Sequence, residues 1–147
     1  MAEEPFEQAA ALQRRLEIAF RDQALLLQAL THRSYLAESV DAASNERLEF
    51  LGDAVLDLVI AEMLFRTHPA WPEGELTRAK ASVVGERSLA ELARAWDLGA
   101  AMRISRGEDL SGGRERRALL ADAVEAVIGA YFLDQGLEAT RDFVLRA

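Results

Sequence analysis

Apolar residues recur three and four positions apart along almost the whole chain, and no stretch sustains the strict alternation of a half-buried strand. The pattern predicts an all-helical protein. Two short helices are expected first, over Leu12 to Phe20 and over Asp22 to His32, the second with Asp22 as N-cap. A polar linker, Asp41 to Ser44, precedes a long helix capped by Ser44 or Asn45 that runs to about Thr67. It stops at His68-Pro69, because the residue before a proline avoids the α region. Pro72, Glu73 and Gly74 open the next helix, to about Val84, and Ser88 to Trp96 forms another. The glycine-bearing stretch Arg103 to Arg116 reads as a loop, leading into a helix from about Arg117 to Gln135 and a last one from Gly136.

Within this pattern the run Asn45-Glu46-Arg47-Leu48-Glu49-Phe50-Leu51-Gly52-Asp53 is energetically unusual. Glu46 and Glu49 stand at i and i+3, and Glu49 and Asp53 at i and i+4, so each pair destabilises an isolated helix by roughly 0.2 to 0.5 kcal/mol. A bound divalent cation is the simplest compensation. Asp122 and Glu125 repeat the i, i+3 spacing on the helix that follows the glycine loop. Around them Ala121, Ala123, Ala126, Gly129 and Ala130 are small enough to admit a second helix, and Gly52 and Ala54 give similar relief beside Asp53. If the two helices cross there, Glu49, Asp53, Asp122 and Glu125 converge on one all-oxygen site. Such a site suits Mg²⁺, with Mn²⁺ as a substitute, whereas Zn²⁺ prefers Cys or His.

Composition narrows the classes. At 147 residues the chain has the length of one domain, and it contains no Cys, which excludes disulfides and thiolate catalysis. The start, Met1-Ala2-Glu3-Glu4-Pro5, lacks the order of a signal peptide, and the longest apolar run, Ala54 to Phe65, is interrupted by Asp57 and Glu62. A cytoplasmic protein with no membrane partner is expected. The net charge of −8 disfavours nucleic acid as a partner at first sight. The distribution matters more than the total, since Glu73 to Arg117 carries nine basic and eight acidic residues, a balance of +1, and leaves −9 on the rest; an Arg-rich, Lys-poor composition is equally what coding bias produces. With only His32 and His68, and no Glu-x-x-His pair, a di-iron bundle lacks its ligands; no GxxxxGK[ST] or GxGxxG cradle is present either.

The nine residues Asn45 to Asp53 resemble the signature motif of the ribonuclease III family. The similarity extends to Ala29-Leu-Thr-His-Arg-Ser34, Glu73-Gly74, Leu89 to Ala93, Gly107-Glu108, Ser111 to Gly113, Leu120 to Ala126, Gly129 and Phe132 to Asp134. The resemblance implies an all-α endonuclease domain, working as a homodimer, that cuts double-stranded RNA to 5′-phosphate and 3′-hydroxyl ends with short 3′ overhangs in rRNA and mRNA processing. It assigns metal and catalytic roles to Glu49, Asp53, Asp122 and Glu125, places Glu46 and Glu73 along the substrate valley, and seats Phe50 in a cavity of the partner subunit. Residues 1–147 are thus expected to form one catalytic domain. Bacterial members usually continue into a double-stranded-RNA-binding domain; nothing here resembles one, and the last helix still shows apolar periodicity at Phe143, Val144 and Leu145, so a shortened conventional enzyme is expected. Three rival classes also fit acidic helices: a MazG-like nucleotide pyrophosphohydrolase, which calls for Glu-x-x-Glu pairs and a nucleotide pocket; an inactive binding module, for which four intact carboxylates are superfluous; and a purely structural helical dimer, in which Glu49→Gln and Glu125→Gln would raise stability and change no activity. Arg78, Lys80, Arg106, Arg114, Arg116 and Arg117 are the candidate cations for RNA phosphates.

Overall fold

A computed structural model describes residues 4–39 and 41–147, so Met1, Ala2, Glu3 and Val40 lie outside it. The described residues form nine α-helices and no β-strand. At the centre, α3 (Glu46–Thr67) packs along α8 (Arg117–Gln135) in the most extensive contact of the fold. The remaining helices, α1 (Glu4–Leu16), α2 (Gln23–Ala29), α4 (Glu73–Val84), α5 (Glu86–Ala95), α6 (Leu98–Ala101), α7 (Arg106–Leu110) and α9 (Leu137–Arg146), surround this pair. Val55, Leu56, Val59 and Ile60 of α3 meet Ala123, Val124, Val127 and Ile128 of α8 in one core with Leu89 and Ala93 of α5 and Leu12 of α1. Each fully buried Val, Leu or Ile contributes about 1.5–3 kcal/mol. No helix among the described residues is long and apolar enough to cross a membrane.

The two central helices touch through glycine. A Cβ on Gly52 would overlap the carbonyl oxygen of Glu125, and one on Gly129 would overlap the carbonyl of Leu48. Backbone contact of this kind brings side chains one turn away on both helices into a common space. Ala54, also expected to ease the approach, faces outward instead.

The helix boundaries differ from expectation where side chains redirected the backbone. The first helix is α1, which ends at Leu16 and not Phe20, because Glu17 adopts a left-handed conformation (φ 56°) and Ile18 N–H returns to Gln13 O at 3.1 Å. Asp22 caps α2 as expected, accepting from Ala24 N–H at 3.0 Å and Leu25 N–H at 3.3 Å. That helix stops at Ala29 and not His32, since Thr31 forms a parallel bridge with Arg103 and His32 N–H donates to Arg103 O at 2.9 Å. A 3₁₀ turn, Arg33–Ala37, follows.

Asn45 does not cap α3 with its side chain; it is buried and its amide donates to Ala29 O at 3.1 Å. The stretch expected as a loop, Arg103 to Arg116, contains α7 and a second 3₁₀ turn, Gly113–Glu115. Ser105 caps α7 by accepting from Glu108 N–H at 3.0 Å. The Arg114 guanidinium holds the segment down, donating to Gly99 O at 2.9 Å and Met102 O at 2.7 Å and pairing with Asp109 at 3.1 Å.

Candidate active site

Glu49, one turn into α3, and Asp122 and Glu125, on the first half of α8, each bring a carboxylate oxygen within 4.8 Å of the others. All three are partly buried. The fourth expected residue, Asp53, lies one turn beyond Glu49 on the exposed side and hydrogen-bonds to the Glu125 carboxyl. Three of the four acids thus form one cluster, with Asp53 beside Glu125 at its exposed edge.

Their electrostatics follow from this crowding. Burial, together with the hydrogen bond to Asp53 and repulsion from Asp53, Glu49 and Asp122, pushes the Glu125 carboxyl up to about 9. Burial first, and then Asp122, Glu46 and Asp53, push Glu49 up to about 7. Asp122 is raised chiefly by burial, with the hydrogen bond from Glu49 acting in the opposite sense. Carboxylates held this close retain protons at neutral pH unless a cation replaces them. An all-oxygen donor set around one small volume fits a hard divalent cation.

From this cluster a cleft of about 530 Å³ runs across Glu46, Glu49 and Asp122 to His32, Arg33, Ser34, Glu108 and Arg116. Glu46 lines this cleft, with Arg33 3.9 Å from its carboxylate. Glu73 stands at the exposed N-terminus of α4 and does not line this cleft. Phe50 is 82% exposed, beside an apolar hollow formed with Leu25, Leu48, Leu51 and Leu133.

The candidate RNA cations separate into different environments. Arg116 lines the cleft, paired with Glu108, and Arg106 begins α7. Lys80 pairs with Asp57 at 3.5 Å, Arg117 approaches Glu86 at 3.9 Å, and Arg114 is occupied by the carbonyls it fastens. Arg78 is exposed on α4.

Sequence reasoning passed over His32, Arg33 and Ser34 as site residues. Their signal was present in the Thr31-His32-Arg33-Ser34 segment, but nothing in its spacing linked it to the acids. Burial, then Arg33 and Arg116, lower the His32 pKa, so its ring is neutral at physiological pH.

Two long helices crossing on glycine with their carboxylates gathered at the crossing define an all-α domain with an acidic, cation-compatible site. The chain belongs to the ribonuclease-III-like family, whose model matches residues 22–147. It is 54% identical over 125 residues to ribonuclease 3 of Streptomyces coelicolor, covering 85% of this chain and 45% of that protein. It is 55% identical over 138 residues to ribonuclease 3 of Heliobacterium modesticaldum, covering 92% and 59%. The chain spans about half the length of the curated relatives it matches. A solved nuclease domain of ribonuclease III from Campylobacter jejuni, described for structural flexibility in its region involved in dimer formation, superposes with a TM-score of 0.88 at 43% identity, covering 92% of both chains.

Proposed function

We propose that this chain is the catalytic part of an Mg²⁺-dependent endoribonuclease, a ribonuclease III, that hydrolyses double-stranded RNA to 5′-phosphate and 3′-hydroxyl products with short 3′ overhangs. The observation that carries this reading is the gathering of Glu49, Asp122 and Glu125 within 4.8 Å, with Asp53 bonded to Glu125, in a family member of the matching fold. Glu49, Asp122 and Glu125 would hold the cation, Mg²⁺ or its substitute Mn²⁺. When bound, such a cation supplies Lewis acidity, lowering the pKa of an attacking water and neutralising charge on the departing 3′-oxygen. Asp53, exposed at the edge of the site, would orient the Glu125 carboxyl through their shared hydrogen bond.

A-form RNA is recognised by shape, phosphates and 2′-hydroxyls. The exposed Arg33, with Arg116 across the same cleft, suits phosphate contact, and Glu46 keeps that end of the valley negative until cations enter. Two copies of the chain, joined through the exposed Phe50, would present two such sites, one for each strand, and Glu73 is read as an acidic residue of the joined valley. A place in rRNA and mRNA processing in the cytoplasm accords with this chemistry.

The deciding experiment incubates end-labelled duplex RNA, single-stranded RNA and duplex DNA with the chain and with its Glu125→Gln variant, with and without Mg²⁺. Cutting of duplex RNA alone, dependent on Mg²⁺ and lost in the variant, is the expected result. Equal cutting by parent and variant, or none by either at low salt and high enzyme concentration, overturns the reading.

A further inference from the structure

We propose that His32 is a substrate-contacting residue, presenting its Nε2–H as a neutral hydrogen-bond donor of fixed tautomer to a phosphate oxygen of the RNA lying in the cleft beside the carboxylates. The proposal rests on the nuclease reading and goes beyond it, since none of the metal-site carboxylates can donate to a phosphate once ionised.

The tautomer follows from the donors around the ring. Ser34 N–H donates to His32 Nδ1 at 3.1 Å, and Ser34 Oγ lies 2.9 Å from the same nitrogen. That Oγ accepts from Ser105 N–H at 2.9 Å, and because Ser34 N–H already donates to Nδ1 the hydroxyl gives its own proton to that nitrogen as well. Nδ1 is therefore an acceptor twice over, and the ring proton sits on Nε2. Among the described residues Nε2 has no hydrogen-bond partner, while the ring lines the cleft with Glu46, Glu49 and Asp122.

The backbone around the ring is held as firmly as the ring. His32 N–H donates to Arg103 O at 2.9 Å, Arg103 N–H to Leu30 O at 2.7 Å, and Asn45 N–H to Thr31 O at 2.8 Å. Thr31, fully buried, donates through Oγ1 to Leu27 O at 2.6 Å and accepts from Arg103 Nε at 2.9 Å. Asn45 directly precedes the helix bearing Glu49, so the same bonds set the ring relative to the acids. A pre-positioned donor needs no rearrangement when substrate arrives. Neutrality matters as well, because a cation at this place would be drawn into a pair with Glu46 or Asp122. Buried in part and flanked by Arg33 and Arg116, the ring stays uncharged and available.

The test uses the whole chain. Long-range ¹H–¹⁵N correlation spectra of the imidazoles should show His32 as the Nε2–H tautomer, and addition of duplex RNA with Ca²⁺, a weaker Lewis acid than Mg²⁺, should shift its Nε2 resonance. An Nδ1–H tautomer, or an Nε2 resonance unmoved by bound RNA, overturns the proposal without any variant. His32→Asn keeps a side-chain acceptor for Ser34 N–H but has no group at Nε2; His32→Gln can place an amide donor there. Single-turnover cleavage at saturating enzyme should fall about tenfold to a hundredfold in His32→Asn, the range for a hydrogen bond to a charged group, and recover in part in His32→Gln. Melting temperature and Mn²⁺ affinity should match the parent. Parent-like cleavage by His32→Asn, or a loss of Mn²⁺ affinity equal to the loss of cleavage, overturns the proposal. A parent that cuts no duplex RNA instead overturns the nuclease reading, an outcome distinct from a parent and variant that cut alike.

Discussion

Binding of a divalent cation should expel protons from the site, in a number that depends on pH. Glu125 is raised to about 9 and Glu49 to about 7, so at pH 8 the empty site holds about one proton, on Glu125, and at pH 6 about two. A cation binds carboxylates in their ionised form, so each retained proton must leave. Apparent affinity should therefore rise about tenfold per pH unit between pH 7 and 9, and approach a hundredfold per unit below pH 7, where Glu49 must also be emptied. Titration calorimetry with Mn²⁺ in pairs of buffers that differ in ionisation enthalpy counts the protons directly. The Glu125→Gln chain should release about one proton fewer and bind more weakly. Release of no proton at pH 8, with affinity flat from pH 6 to 9, would show that the carboxylates are not crowded as described.

Three further outcomes are expected. In the metal-free chain the folded state holds protons on Glu125 and Glu49 that the unfolded state has lost above their ordinary 4.5, so the stability these two groups contribute is fully present below that value and is lost as pH rises through about 7 for Glu49 and about 9 for Glu125. The slope is at most about 1.4 kcal/mol per pH unit per group, solvent screening at these half-buried positions narrows the pH window over which it acts, and urea midpoints that do not fall from pH 5 to 9 would refute it. Gly52→Ala should destabilise the fold by about 3–5 kcal/mol in urea denaturation, because the new methyl overlaps the Glu125 carbonyl and only separation of α3 from α8 relieves it; a loss below about 1 kcal/mol refutes the close crossing. Phe50→Ala should leave the melting temperature of the dilute chain unchanged, since the ring is 82% exposed, while sedimentation shows self-association weakened about tenfold or more; unchanged association refutes the proposed docking role.

Residues Glu46–Thr67 and Arg117–Gln135 were legible as helices because each is a long, largely apolar run without internal proline, bounded by a proline stop after His68 and by a glycine after Gln135. The four acids were legible too, since carboxylates at one-turn spacing among apolar and small residues conflict with helix stability unless something else uses them. Short-range periodicity could not locate the end of α1, which depends on a left-handed Glu17, or the end of α2, which depends on Thr31 pairing with Arg103, more than seventy positions away. Nor could it show that Asn45 spends its side chain on Ala29 and not on capping α3.

The chain by itself determined its helical class, the two long helices and the identity of the candidate acids, because each of these is written in spacing along one helix. Only the tertiary structure decided that Glu49, Asp122 and Glu125 share one volume while Asp53 stands at its edge, that Arg114 fastens a loop while Arg116 faces the cleft, and that the His32 ring lines the same cleft with its Nδ1 held by Ser34. Those facts depend on contacts between segments distant in sequence, where a Cβ's width at Gly52 or a hydroxyl on Ser34 sets the geometry, and no local pattern encodes such distances.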